Sequence, residues 1–150
     1  MSKLIFYFFV VSSLFLAACQ TYSDADKDAF DTEIGAFLRK KGIKMKKSSS
    51  GMYYKIEQEG EGKNVQYTDS VAMLYKGELM NGKVIDLAKE PRTFAVKELI
   101  AGWKEALLLS KKGTKMYIIL PPQLAYGDNK LDDIPQHSIL QFHLEVVDIK

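Results

Sequence analysis

Leu99-Ile100-Ala101-Gly102-Trp103-Lys104-Glu105-Ala106-Leu107 holds the only tryptophan in this 150-residue chain. Leu99, Ile100, Trp103 and Leu107 recur at helical spacing, which predicts one apolar face of a short helix. Gly102 stands directly before the tryptophan. A glycine inside a helix costs about 1 kcal/mol relative to alanine, so the position has a packing or functional reason. The surrounding C-terminal hundred residues read as strands and turns. One apolar helix face among strands predicts a sheet wrapped around that helix. Trp103 then either fills the core or floors a pocket.

Working outward, Lys112-Gly113 closes the helix region, with Lys111 and Lys112 read as its solvated basic end. Residues 114–120 predict a strand that Pro121-Pro122 stops. In the last strand Leu140, Phe142, Leu144 and Val146 alternate with Gln141, His143 and Glu145. Upstream, residues 52–56 and 71–75 predict two more strands. Asn81-Gly82 is a turn signal, after which Val84-Ile85-Asp86 returns as a short strand. The class is α+β: five or six antiparallel strands with one face buried by one helix.

The first nineteen residues have another character. Lys3, an apolar run and Leu16-Ala17-Ala18-Cys19 make a secretory signal. The last four resemble the bacterial lipobox, which implies lipidation of Cys19 and a signal peptide spanning 1–18. Cys19 is the sole cysteine, so disulfides within the chain and multi-cysteine zinc sites are excluded. A second helix is predicted after it. Ser23 with Asp26 has the form of a capping box, and Gly42 is the natural stop. Phe30, Ile34, Phe37 and Leu38 form one apolar stripe. The stripe packs on the downstream domain or on a second copy in a dimer, or it docks a partner. Residues 44–50 are polar and without periodicity, and read as a linker. Residues 19–50 are thus anchor, helix and linker, and 51–150 form the domain.

The net charge of +2 gives no electrostatic case for nucleic acid. His137 and His143 are isolated, and Asp132-Asp133 is a solvated pair, so no metal or cofactor is expected.

Several motifs occur in one order: Tyr75-Lys76-Gly77-Glu78-Leu79, Asn81-Gly82-Lys83 with Asp86, and Leu99-Ile100-Ala101-Gly102-Trp103. Leu120-Pro121-Pro122-Gln123-Leu124-Ala125-Tyr126-Gly127 and Ile134-Pro135 follow. Together they resemble the FKBP-type peptidyl-prolyl cis-trans isomerases over about a hundred residues. The resemblance implies an FKBP-like antiparallel half-barrel and a cup for proline-containing polypeptides. In it Trp103 is the floor, with one face packed and the other open to the cup. Gly102 allows close packing beside the ring. Tyr75, Phe94 and Phe142 are walls. Ile85, Leu99, Ile100 and Ile134 line the sides, and the Ile100 N–H meets a substrate carbonyl. Tyr126 offers its hydroxyl, and Asp86 is the rim acid. Taken singly, Leu99, Phe142 and Tyr75 read more readily as core. Ile85 and Arg92 stand where many members carry aromatics, and Gln136 replaces a second proline, so that flank is less aromatic.

The leader and helical arm resemble envelope members of the family, including gliding-motility-associated isomerases. That implies a lipid-anchored protein of the bacterial envelope, at the outer membrane or its periplasmic face, assisting folding there. The alternatives are a non-catalytic binding or chaperone module, and a structural part of a gliding-motility machine.

Overall fold

The computed structural model describes residues 22–150. The signal peptide and Cys19 lie outside the described residues. The first helix, α1, runs Asp24–Lys41. The Ser23 side chain accepts from the Asp26 N–H, and the Asp26 carboxylate accepts from the Ser23 N–H, so both halves of the capping box are present. Gly42 ends the helix in the left-handed region at φ 67°.

The strands, in chain order, are β1 (Lys46–Lys47), β2 (Tyr53–Gln58), β3 (Glu61–Asn64), β4 (Ser70–Leu79), β5 (Val84–Ala95), β6 (Lys111–Lys112), β7 (Lys115–Leu120) and β8 (Leu140–Ile149). The second helix, α2, runs Ala101–Leu108 between β5 and β6. Six strands pair antiparallel in the order β1-β2-β7-β8-β4-β5, and β3 pairs with β6 separately. β1 and β5 are therefore the outer strands of the large sheet.

Side chains alternate along β7 and β8, and each face meets a different helix. Met116, Ile118, Leu120, Leu140, Phe142 and Leu144 join Trp103, Ala106 and Leu107 of α2 in one core. Tyr117, Ile119 and Ile139 join Ile34 and Leu38 of α1 in a second. The expected single covered face is thus corrected to two. The α1 stripe is used within the chain: Ile34 and Leu38 are buried, with Phe30 and Phe37 half-buried beside them. Gln141 sits beneath this layer, accepting from the Tyr117 hydroxyl at 2.5 Å and donating to the Leu79 carbonyl at 3.0 Å.

Four local expectations change. Leu99 and Ile100 precede α2 in extended conformation; its buried face is Gly102, Trp103, Ala106 and Leu107. Their helical spacing was a coincidence of sequence. The short return strand at Val84 is a twelve-residue β5. Met73 pairs with Arg92 but Tyr75 with Ala88, so Lys89, Glu90 and Pro91 bulge outward. Lys111–Lys112 is no helix end; it pairs with β3, Glu61 opposite Lys112. Within the expected linker, Lys46 and Lys47 pair with Tyr54 and Tyr53.

The α1 side gives the fold an alkaline limit. Burial first, then the Glu78 and Glu57 charges, push the Tyr117 phenol up to about 12. Burial and a hydrogen bond to Asp31 do the same for Tyr53. An unfolded tyrosine titrates near 10. The folded state therefore favours the neutral phenols, and this contribution is whole below the unfolded value and lost as pH climbs through the folded one. Urea titrations across the alkaline range are expected to give a constant midpoint below about pH 10 and a falling one up to about pH 12. Tyr117→Phe should flatten the fall.

Candidate active site

Trp103 is placed by the third position of α2 and is 6% exposed. Three aromatic rings from three strands meet it at steep angles. Tyr75 of β4 lies at 5.0 Å and 73°, Phe142 of β8 at 5.2 Å and 89°, and Phe94 of β5 at 6.1 Å and 89°. Edge-to-face pairs of this kind add about 0.5–1.5 kcal/mol beyond burial and fix each ring's orientation. Gly77 of β4 stands opposite Phe142 in register. A Cβ on Gly77 would lie 2.6 Å from Phe142 Cε1, so the missing side chain is what lets that ring lie across the strand.

Around this centre Ile85, Phe94, Leu99, Ile100, Tyr126 and Ile134 are half-buried and packed against the same core. Ile100 is the N-cap of α2, in extended conformation, and its carbonyl accepts from the Lys104 N–H. Among the described residues its own N–H meets no acceptor. Asp86 stands at the edge and is half-exposed. Its Oδ2 accepts from the Tyr75 hydroxyl at 2.8 Å, and its Oδ1 accepts from the Leu87 N–H at 2.8 Å. Arg92 Nη1 donates to Tyr75 Oη at 3.0 Å and reaches Asp86 Oδ1 at 3.4 Å.

Burial raises the Tyr75 phenol, Asp86 raises it further, and Arg92 opposes them. Burial, then the Asp86 charge, raises Tyr126. Both hydroxyls keep their protons at neutral pH and act as donors. The arrangement offers a packed aromatic and aliphatic cluster with one backbone donor and one phenol donor beside it. Among the described residues no group of three His, Cys, Asp or Glu side chains is placed to hold a metal.

The structure gathers the residues singled out from sequence into one place, apart from Cys19, which lies outside the described residues. Two details differ. Trp103 is only 6% exposed, so the open face expected of it is almost wholly covered. Gly102 serves another neighbour than the indole: a Cβ there would lie 2.5 Å from Leu120 Cδ1 and closer still to Cδ2. Arg92 was passed over because it stood only as a missing aromatic. The signal available was an arginine six residues after an acid, with Pro91 between to bend the strand. A separate concavity of about 480 Å3, lined by Phe37, Met80, Tyr117 and His143, lies on the α1 side and contains none of these groups. Trp103 has one further feature, shared in kind by the Gln123 amide oxygen. Among the described residues its buried indole N–H has no acceptor. An unmet buried donor costs about 1–3 kcal/mol, which plain core packing does not require.

Fold and site together set one aromatic centre, Trp103 ringed by Tyr75, Phe94 and Phe142, against the large sheet. Residues 61–147 match the family model of the FKBP-type peptidyl-prolyl cis-trans isomerases, and the chain belongs to that family. It is 37% identical over 134 residues to the FKBP-type isomerase FkpA of Escherichia coli, covering 83% of this chain and 49% of that one. The FkpA of Buchnera aphidicola from Schizaphis graminum is 41% identical over 118 residues, covering 76% and 46%. The chain thus spans about half the length of the relatives it matches. The crystal structure of E. coli FkpA superposes with a TM-score of 0.73 at 38% identity, over 84% of this chain and 60% of that one. A peptidyl-prolyl cis-trans isomerase from Pseudomonas syringae pv. tomato superposes with a TM-score of 0.71 at 26% identity, over 86% and 99%.

Proposed function

We propose that the chain catalyses rotation about X–Pro bonds of polypeptides in the cup above Trp103. The barrier to that rotation is amide resonance, about 18–20 kcal/mol, and no bond is broken. The planar amide carries more negative charge on its carbonyl than the twisted one. An apolar cup therefore disfavours the planar ground state more than the twisted transition state. Each 1.4 kcal/mol of that difference is about tenfold in rate. The proline ring rests on Trp103 between Tyr75, Phe94 and Phe142. The Ile100 N–H and the Tyr126 hydroxyl hold flanking carbonyls. Asp86 fixes Tyr75, and Arg92 holds both.

The observation that carries this reading is the single cluster formed by Trp103, its three ring neighbours and the half-buried residues around them. A proline-peptide isomerisation assay on the full chain tests it. Asp86→Ala frees the Tyr75 hydroxyl and is expected to lower kcat/KM about tenfold, as loss of a charge-assisted hydrogen bond does. Wild-type turnover no faster than that of Asp86→Ala and of a Trp103 variant would leave a binding module.

The setting is part of the same proposal. Leu16-Ala17-Ala18-Cys19 supports a lipid anchor on Cys19 in the bacterial envelope, and a place beside a gliding-motility machine rests on that leader and the helical arm. Among the described residues no helix is long and apolar enough to cross a membrane. Cys19 precedes Tyr22 by three residues, which extend to about 11 Å at most. An acylated chain would work close to the membrane surface, on proline-containing envelope proteins.

A further inference from the structure

The loop after Tyr126 carries Ile134, and its two ends are unusual. Gly127 has φ 61° and His137 has φ 57°; among the described residues His137 is the only non-glycine residue at positive φ. The two are joined directly, the His137 N–H donating to the Gly127 carbonyl at 2.8 Å. Between them the loop folds on itself: Leu131 and Ile134 exchange both backbone hydrogen bonds, at 3.1 and 3.2 Å. Lys83 Nζ holds Asp133 at 2.7 Å from the β4–β5 turn.

Tyr22, the residue before the α1 cap, seats on this closure. Its hydroxyl lies 2.8 Å from His137 Nδ1. Its ring meets the His137 ring edge-on at 5.7 Å and the Phe30 ring at 5.4 Å. The same hydroxyl would stand 3.8 Å from a Cβ on Gly127. One side chain thus covers both left-handed residues at the neck of the loop. Left-handed backbone at a non-glycine residue is strained and persists only where surrounding contacts impose it. The Tyr22 contact is one such constraint, and it comes from outside the loop.

We infer that Tyr22 is a positioning residue: it clasps the neck of the 127–137 loop through His137 and so fixes Ile134 beside the cup. The arm is then a working part of the isomerase. Substrate affinity, and selectivity for the residue before proline, depend on α1 being docked. This rests on the proposed isomerase reading for its kinetic consequence, but not for its structural one.

The test uses the full chain with Tyr22→Phe, His137→Ala, His137→Asn and the Tyr22→Phe/His137→Ala double variant. Tyr22→Phe keeps the ring against Phe30 and removes only the hydroxyl. Michaelis parameters are measured on peptides differing in the residue before proline, and amide exchange is followed at residues 128–136. Tyr22→Phe is expected to raise KM about three- to tenfold, as loss of one hydrogen bond does, with kcat within about twofold. The rise should differ between peptides, and loop amides should exchange faster. Asn tolerates the left-handed region and offers an acceptor, so His137→Asn should restore KM where His137→Ala does not. The double variant should be no worse than His137→Ala. An active wild type whose KM is unmoved by Tyr22→Phe overturns the inference. If the wild type shows no turnover, the isomerase reading fails on its own. The clasp is then decided by exchange, and unchanged loop protection in Tyr22→Phe overturns it.

Discussion

Trp103→Ala is expected to abolish measurable isomerisation and to weaken the fold at once. Removing the indole empties the space between Tyr75, Phe94 and Phe142 and costs about 3–5 kcal/mol of stability. Those rings then lose the surface that orients them, so activity falls by at least about a hundredfold. Stability alone would not distinguish a floor from a core residue. Trp103→Phe makes that separation. Phenylalanine refills most of the space and removes the indole N–H, which has no acceptor among the described residues. The gain from deleting an unmet donor, about 1–3 kcal/mol, offsets much of the lost packing. Thermal midpoint is therefore expected to change little, while kcat/KM drops about tenfold as the floor shrinks. Full activity in Trp103→Phe combined with a collapsed Trp103→Ala would return the ring to the core.

Gly102→Ala is expected to destabilise the domain by about 1–2 kcal/mol despite improving the helix. The helix gains about 1 kcal/mol from alanine. Against this, the new methyl would press on both Leu120 methyl carbons and lie 2.9 Å from its Cγ. Leu120 is fully buried, so it has no room to retreat. Overpacking a closed core costs about 1–3 kcal/mol, occasionally more, and here it outweighs propensity. Chemical denaturation of the two chains side by side measures the difference. An alanine variant as stable as the parent would mean that α2 shifts away from β7 freely. Trp103, the next residue on α2, would then not be rigidly placed.

How far the sequence could be read depended on whether a pattern was local. The α1 cap at Ser23 and Asp26, its stop at Gly42 and the alternation along β8 are short-range signals, and they appear in the structure. The pairing of Lys111–Lys112 with β3 is different. Both partners are without apolar side chains, and only Lys111 is half-buried, so no apolar periodicity marks them. What permits their approach is Gly60, where a Cβ would press on the Lys112 carbonyl and the Thr114 backbone. Leu99 and Ile100 misled because two extended residues happened to fall in phase with the helix that follows. β5 looked short because Lys89-Glu90-Pro91 reads as a break, and only the register across β4 shows it to be a bulge. Tyr75, Asp86, Leu99, Ile100, Tyr126 and Ile134, around Trp103, stand in the motifs that carry the family resemblance. Arg92 stands in none of them, and its partnership with Tyr75 and Asp86 depends on that bulge. The clasp by Tyr22 joins residues 115 positions apart and left no trace in either motif.

If the chain assists folding as proposed, the two borders of its large sheet bear on what it must avoid. A partly folded client presents bare backbone, which readily adds to an open sheet edge. Here one border is β1, two exposed lysines long, too short and too charged to template a guest strand. The other is β5, thrown out of line at Lys89, Glu90 and Pro91. Neither offers a straight, uncharged run of free amides and carbonyls. On the proposed reading, clients are thereby kept from sticking by their main chain, and what remains for them to grip is the cup above Trp103.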